Sequence, residues 1–332
     1  MTVPSPATQS AKRVLLLGAS GTIGQATARA LVARGHDTVC LVRPQPARTP
    51  RHSPEALARN LEGTTIRACD VTDKASLERD GFCGEAFDVI VSCLASRTGE
   101  KKDAQRIDYE ANLNALELAP TAGVSHMVLL SAICVQKPKL AFQKAKLAFE
   151  DALKGSGIDY SIVRPTAFFK SLTGLVKRVK AGKPYLVFAD GELTACKPIS
   201  DDDLANFIAD CLENDAYHNA ILPIGGPGEA ITPRAQGEYM FSLLGQPPNI
   251  KQVPPGLLLG IANALSLVAK AYPPLKARAE YARIGHYYAT ESMLLLDPET
   301  AKYSADLTPS TGKETLFEHL ETLLKTDRTP DA

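Results

Sequence analysis

Short apolar segments alternate with amphipathic segments along the first half of the chain. The apolar segments predict six strands, at residues 14–17, 38–42, 65–68, 89–93, 126–130 and 160–163. The amphipathic segments predict helices at residues 23–34, 74–80, 104–119 and 140–154. Apolar strands separated by helices are typical of a parallel sheet with helices on both faces. We therefore predict an α/β fold with a doubly wound parallel sheet over residues 12–165.

The pattern becomes less regular in the second half of the chain. We expect a helix at residues 168–180, a strand at 185–188 and a helix that begins after Ser200. Apolar helices with proline-rich joints follow. Residues 166–332 are therefore predicted to form a smaller, mainly helical substrate-binding region, from which about 185–225 return to the first domain.

One segment in this region, residues 256–269, is almost entirely apolar. It is too short to span a membrane and is interrupted by Asn263 and Ser266. We expect a buried or pocket-covering helix there, with peripheral membrane contact as the alternative.

The first predicted strand leads into a glycine-rich turn. Residues 18–24 read Gly-Ala-Ser-Gly-Thr-Ile-Gly, and a predicted helix follows. Backbone N–H groups at such a helix N-terminus bind the pyrophosphate of a dinucleotide. We therefore predict a Rossmann domain whose cofactor-binding residues include Gly18, Ser20, Gly21, Thr22, Ile23 and Gly24.

The second predicted strand ends at Arg43. Domains that bind NAD place an acidic residue there for the ribose 2′-hydroxyl, whereas a cation suits the 2′-phosphate of NADP. Arg43 therefore predicts NADPH as the cofactor. Arg48 and Arg51 follow in a proline-rich segment, which we interpret as a solvated loop that would also suit the phosphate.

Composition narrows the class of function. Lys and Arg together number 37, as do Asp and Glu, so no excess charge indicates a nucleic-acid partner. The seven cysteines show no Cys-x-x-Cys spacing, and residues 1–12 lack the apolar core of a signal peptide. We therefore expect a cytoplasmic protein without disulfides. The histidines show no metal-site spacing, so we expect no bound metal.

Four groups of residues resemble the short-chain dehydrogenases of the extended or atypical kind. The glycine turn is one group, and two others follow the third and fourth strands. Ser131, at the end of the fifth strand, stands where that family carries its catalytic serine. The resemblance implies that residues after strands three to six border the cofactor, namely Asp70, Val71, Leu94, Ala95, Pro165 and Thr166.

The family's Tyr-x-x-x-Lys motif is incomplete in this chain. Phe142 stands at the tyrosine position, whereas Lys146 is present four residues later. The tyrosine hydroxyl of ordinary members exchanges a proton with a carbonyl or alcohol oxygen, and phenylalanine has no such proton. Ketone reduction by that mechanism is therefore not expected. The resemblance implies that Lys146 binds the nicotinamide ribose.

Longer runs resemble a narrower family, the NADPH-dependent divinyl chlorophyllide a 8-vinyl reductases. The resemblance spans residues 13 to about 312, and its most specific runs are 91–99, 130–138, 163–171, 193–200 and 287–293. It implies reduction of a vinyl group to ethyl on divinyl chlorophyllide a or divinyl protochlorophyllide. Hydride addition to a vinyl group forms no alkoxide, which agrees with Phe142. The proton would come from Lys146, Ser131 or water, and we predict Lys146 and Ser131 as the catalytic residues.

A flat apolar macrocycle needs a wide apolar slot. The candidate substrate-binding residues, for which ordinary core packing is the alternative, are Phe142, Phe168, Phe169, Leu172, Tyr287 and Tyr288. His286 is a candidate axial ligand for the magnesium of the pigment. The resemblance also implies a photosynthetic bacterium, with a place at the periphery of its photosynthetic membrane as an alternative to the cytoplasm.

Two other functions remain open at this point. One is an isoflavone-reductase-like NADPH reductase of phenolic substrates, which also lacks the tyrosine. The other is a non-catalytic NADP-sensing regulator or photosystem-assembly factor. Both leave the specific runs after residue 160 unexplained.

Overall fold

A computed structural model describes residues 11–44, 53–272 and 274–325. The strands of its large sheet are β1 (Arg13–Leu17), β2 (Asp37–Val42), β3 (Thr65–Ala68), β4 (Val89–Ser92), β5 (His126–Leu130), β6 (Asp159–Pro165) and β8 (Ala220–Ile224). They lie in the order β3-β2-β1-β4-β5-β6-β8, and every pairing is parallel. The predicted α/β fold is confirmed, and all six predicted strands are present.

Helices pack on both faces of this sheet and are the commonest elements of the second half of the chain. They are α1 (Thr22–Ala33), α2 (Pro54–Asn60), α3 (Lys74–Ser76), α4 (Lys101–Ala104), α5 (Ala111–Leu118), α6 (Ala141–Lys154), α7 (Phe169–Leu172), α8 (Val176–Lys180), α9 (Asp201–Asp210), α10 (Pro233–Leu243), α11 (Gly256–Val268), α12 (Leu275–Thr290) and α13 (Leu316–Lys325). Wider π-type turns continue α3 over Leu77–Phe82 and join α4 to α5 over Gln105–Glu110.

The single helix predicted for residues 168–180 is wrong. A 3-10 turn, Thr173–Leu175, divides that segment into α7 and α8. The Thr173 hydroxyl donates a hydrogen bond to the carbonyl of Lys170, and Gly174 follows. Threonine side chains that bond to nearby backbone compete with helical hydrogen bonds, and glycine weakens a helix further.

Alternation along the strands places apolar side chains on both faces of the sheet. Leu15 and Leu17 face a cluster with α5 and α6, whereas Val14 and Leu16 face a cluster with α1 and α9. All four side chains are fully buried. The central strand is therefore covered on both sides, as expected for a doubly wound sheet.

The segment predicted to return to the first domain divides between two sheets. Within it, α9 packs against α1, and β8 adds the last strand of the large sheet. By contrast, β7 (Tyr185–Phe188) pairs in parallel with β9 (Ile250–Val253) in a separate two-stranded sheet. A second short pair joins β10 (Leu295–Leu296) to β11 (Tyr303–Ser304). The domain boundary at residue 165 stays a prediction.

Of the two alternatives expected for residues 256–269, a buried helix is wrong, whereas Ser266 and Ala269 line a groove at the surface. Helix α11 packs against α12, where Gly285 leaves room for the side chain of Leu258. Ala262 is the one residue of α11 that is buried. Within the described ranges, no helix is long and apolar enough to cross a bilayer.

A buried ion pair connects α6 to the sheet. The Glu150 carboxylate accepts hydrogen bonds from the Arg164 guanidinium of β6 and from the Ser131 hydroxyl. Glu150 is fully buried, and the side chain of Arg164 is mostly buried. Loss of one partner from a buried pair leaves the other charge without compensation.

We expect Glu150→Ala to lower the free energy of unfolding by about 3–5 kcal/mol, because Arg164 would remain buried without its partner. The matched control is Glu117→Ala, which breaks the exposed pair with Lys74 and should cost about 1 kcal/mol or less. Urea denaturation of the three proteins measures both effects. Equal losses in the two variants would contradict a structural role for the buried pair.

Candidate functional site

The turn between β1 and α1 lies directly against the end of β4. Gly18 has a φ of +77°, and a Cβ atom there would lie 2.7 Å from the carbonyl oxygen of Cys93. A Cβ atom at Gly24 would lie 2.2 Å from the carbonyl oxygen of Gly18. Both positions therefore require glycine. The turn also directs the N-terminus of α1 toward a cleft, and its N-cap, Gly21, offers no side chain to the first N–H groups.

This cleft has a volume of about 530 Å³ and lies at the carboxyl ends of the strands. Most of the predicted cofactor-binding residues line it: Gly18, Ser20, Gly21, Thr22, Ile23, Gly24, Arg43, Asp70, Val71, Leu94 and Ala95. The carboxyl ends of parallel strands are where such folds bind ligands. The other three predicted residues, Lys146, Pro165 and Thr166, are outside its lining.

The Arg43 end of the cleft carries a second cation that sequence reasoning missed. Arg106 also lines the cleft, on the helical segment after β4. Nothing distinguishes it from a surface arginine in the sequence, because only the fold brings it near β2. Hydrogen bonds from Thr72 lower the pKa of Asp70, and the charges of Arg106 and Arg43 lower it further. Arg48 and Arg51 lie outside the described residues.

Lys146 is buried beside the loop that follows β4. Its Nζ atom lies 3.2 Å from Oδ1 of the buried Asp108 and 3.5 Å from the carbonyl oxygen of Leu94. The other carboxylate oxygen of Asp108 has no hydrogen-bond partner among the described residues. Lys144, two residues earlier, is exposed. Lys146 thus approaches the cleft lining from behind Leu94.

Ser131 and Phe142, the other two residues at family positions, both contact side chains of the protein. The Ser131 hydroxyl donates to Glu150 and is buried. Phe142 lies near Gly99 and Ile284 of α12, in a small apolar cluster. A Cβ atom at Gly99 would lie 2.8 Å from Ile284 and 3.4 Å from Phe142.

A second contact joins the loop after β4 to α12. The Tyr281 hydroxyl donates to the carbonyl oxygen of Arg97 at 2.9 Å, and Arg97 itself lines the cleft. The loop that borders the cleft is therefore held by the α11–α12 pair at Tyr281 and again at Gly99.

A second cavity, of about 310 Å³, adjoins the cleft. Phe168 and Ser171 line both, so the two spaces are neighbours. Several predicted residues line the second cavity: Pro165, Thr166, Phe168, Leu172 and Tyr288. Its other walls include Cys134, Cys196, Gln236, Glu291 and Met293. The sequence analysis did not predict these as site residues, because α10 and the segment after α12 supply several of them.

Three predicted substrate-binding residues lie outside both cavities. Phe169 is buried among α8, α10 and α13, and Phe142 packs as described above. Tyr287 is buried, and its hydroxyl donates to the carbonyl oxygen of Cys134 at 2.9 Å. His286 is also outside the cavities, with Nδ1 3.0 Å from the carbonyl oxygen of Pro255. Among the described residues, no group of three or more His, Cys, Asp or Glu side chains is arranged to hold a metal ion.

Two polar groups of the second cavity, Tyr288 and Glu291, differ in their protonation state. Tyr288 directs its hydroxyl toward the Cys134 thiol, with 3.9 Å between Oη and Sγ. The side chain of Tyr288 is 43% exposed as a whole, but loss of solvent around its hydroxyl raises the pKa of Tyr288 well above its usual value. Burial also raises the pKa of Glu291, but hydrogen bonds from Lys139, Tyr303 and Lys137 outweigh it, so the net shift is downward. Tyr288 therefore stays protonated while Glu291 stays anionic.

Comparison with known proteins places this site in a family. A sequence profile described as NAD(P)H-binding matches residues 18–215. The chloroplastic divinyl chlorophyllide a 8-vinyl-reductase of Cucumis sativus is 50% identical over 317 residues, which cover 94% of this chain and 76% of that protein.

Two other proteins resemble this chain more distantly. The photosystem II assembly factor Ycf39 of Synechocystis sp. is 25% identical over 64% of this chain and 62% of its own length. The structure of leucoanthocyanidin reductase from Vitis vinifera with NADPH superimposes with a TM-score of 0.68 at 15% identity, over 95% of this chain and all of that one. That likeness shows the fold alone. By the profile and by its identity with the cucumber enzyme, the chain belongs to the NAD(P)H-binding family and, within it, to the divinyl chlorophyllide a 8-vinyl-reductases.

Proposed function

We propose that this protein reduces the 8-vinyl group of divinyl chlorophyllide a, or of divinyl protochlorophyllide, to an ethyl group with NADPH. The observation that carries the proposal is the 50% identity to the cucumber reductase over 94% of the chain. The pair of adjoining cavities agrees with it, because a reductase must hold a dinucleotide and a second reactant side by side.

The cleft suits a dinucleotide. Its glycine turn brings the N-terminus of α1 to the cleft, and that N-terminus has no side-chain cap. These features fit a pyrophosphate. Arg43 and Arg106 provide positive charge at the β2 end, which fits the 2′-phosphate of NADPH.

The second cavity suits one edge of the pigment. Phe168 and Leu172 give it apolar walls, and Tyr288 supplies a hydroxyl. Its volume of about 310 Å³ lies at the lower limit for ligand pockets. We infer that it takes the vinyl-bearing edge, while the rest of the macrocycle lies outside it.

NADPH bound in the cleft would supply a hydride to the terminal vinyl carbon. A proton must then reach the inner carbon. Ser131 is a poor source, since its hydroxyl already donates to the side chain of Glu150. Lys146 is paired with Asp108 behind the cleft lining, so we assign it to positioning the loop at Leu94. The hydroxyl of Tyr288, which lines the second cavity, is in its protonated form, and we propose that it gives this proton to the inner carbon and that the resulting tyrosinate then takes a proton from water.

The free cysteines bear on the compartment in which the protein works. Each of the seven cysteines is unpaired, which suits a reducing compartment. We propose the cytoplasm of a photosynthetic bacterium, and the plastid location of the cucumber relative belongs to that protein.

A direct assay tests the function. Purified protein with NADPH and divinyl chlorophyllide should shift the Soret band of the pigment to shorter wavelength, because loss of the vinyl group shortens the conjugated system. Omission of NADPH is the control. Tight NADPH binding without a shift would favour a sensor, and reduction of small phenolic substrates alone would favour an isoflavone-reductase-like enzyme.

A variant tests the choice of dinucleotide. We expect Arg43→Ala to weaken NADPH binding by about tenfold or more, since a hydrogen bond to a charged group contributes roughly 1.5–3 kcal/mol. NADH affinity should be unchanged. Lys177→Ala, which removes an exposed cation on α8 away from the cleft, serves as the control. Isothermal titration calorimetry measures the affinity of the wild type and the two variants for each dinucleotide. If Arg43→Ala lost affinity for NADPH and NADH equally, a contact with the 2′-phosphate would be contradicted.

The proton donor has its own test. We expect Tyr288→Phe to reduce the rate of vinyl reduction by about 100-fold or more, with little change in NADPH and pigment affinities. The matched control, Tyr287→Phe, removes the hydroxyl that bonds to the Cys134 carbonyl and should lower thermal stability without a comparable loss of rate. Single-turnover absorbance and fluorescence titration measure these quantities. A Tyr288→Phe enzyme with the wild-type rate would exclude this donor.

A further inference from the structure

Exposed apolar side chains concentrate in one part of the surface. Of the twelve large hydrophobic side chains that are exposed among the described residues, eight lie on α11, α12 and the loop between them. We call five of these the hairpin surface: Leu257, Ile261, Leu267, Val268 and Tyr272. Leu267, Val268 and Tyr272 are 67%, 53% and 59% exposed. A concentration of this kind marks an interaction surface.

Charge is also segregated there. The chain as a whole has equal numbers of acidic and basic residues. Residues 239–279 nevertheless contain no Asp or Glu, while they contain Lys251, Lys270, Lys276 and Arg278. All four cations are exposed, and none forms an ion pair with a described residue. Cations that form no ion pair with a described residue therefore flank the hairpin surface.

A groove of about 540 Å³ lies beside this surface. Lys101, Lys270 and Lys276 line it together with Arg283, which pairs with Glu280. Glu100 is the remaining acidic group of the lining. A space bordered by lysines and adjacent to exposed leucines matches a ligand with an anionic head and an apolar tail.

We propose that the hairpin surface docks on an anionic lipid bilayer. The apolar side chains of α11 would enter the boundary between headgroups and acyl chains, and the cations would contact the headgroup phosphates. The length of α11, with no spanning helix among the described residues, limits the contact to one leaflet. This inference does not depend on the reaction that the protein catalyses.

Other occupants fit less well. A second copy paired through the same surface would bring Lys270, Lys276 and Arg278 against their own counterparts, which costs free energy. The pigment cavity is elsewhere, since α11 contributes no residue to its lining. Nucleic acid would match the cations but not the exposed leucines.

Vesicle flotation with the full chain tests the proposal. We expect binding to phosphatidylcholine vesicles that contain about one-third phosphatidylglycerol, weaker binding at high salt, and little binding to phosphatidylcholine alone. Replacing the cations (Lys270→Ala, Lys276→Ala and Arg278→Ala together) should lower the partition coefficient by about 100-fold, at roughly fivefold for each charge. The apolar double variant, Leu267→Ser with Val268→Ser, should lower it by at least tenfold.

Matched controls remove equally exposed groups from other faces. Leu193→Ser with Leu307→Ser alters two side chains that are 51% and 49% exposed, and Lys177→Ala removes a distant cation. These variants should bind vesicles as the wild type does, and a thermal melt shows that each variant is folded. Absence of wild-type binding, or equal losses in test and control variants, would overturn the proposal. So would a dimer in gel filtration that the Leu267→Ser and Val268→Ser variant dissociates, because a second copy would then cover the surface.

Discussion

The backbone of the β1–α1 turn lies against the backbone at the end of β4, with no room for a side chain between them. Gly18 meets the carbonyl group of Cys93, and Gly24 meets that of Gly18. Because these contacts are backbone to backbone, they set the position of α1 relative to the two central strands without adjustable side chains. The N–H groups of α1 are thereby aimed along the cleft, and the loop at Leu94 forms its opposite wall. The rest of the dinucleotide cleft is arranged around this turn.

Local pattern was sufficient for six of the seven strands of the large sheet, because the central strands are apolar on both faces and burial of such strands leaves few alternatives. The edge strand β8 was missed, since it is mostly half-buried and contains Pro223. The cleft residues near the glycine turn were predictable for a related reason, since they follow strand ends directly. Arg106 was not predictable, because its place beside Arg43 arises from the packing of the segment after β4. The exposure of α11 was also missed. An apolar helix looks the same in sequence whether its outer face is covered or free.

The structure shows what the residues of the incomplete Tyr-x-x-x-Lys motif contact in this protein. Where related enzymes have a tyrosine at the cofactor, Phe142 fills a small apolar cluster beside Gly99 and Ile284. A hydroxyl still reaches the neighbouring cavity, but it comes from Tyr288 on α12. The lysine that remains, Lys146, is held by a buried carboxylate. Hydride and proton would thus approach the substrate from two separate parts of the chain.

The contacts of α12 with the loop after β4 have a thermodynamic consequence. Tyr281 donates a hydrogen bond to the Arg97 carbonyl, and Ile284 fills the space that Gly99 leaves open, so α12 contacts the wall of the cleft at two points and a displacement of α12 would reach that wall. Linkage between two sites is reciprocal. Any ligand that shifts α12 therefore changes the affinity of the cleft for its dinucleotide by the same factor by which the dinucleotide changes the affinity for that ligand. Two binding events on opposite sides of one helix become a single coupled equilibrium.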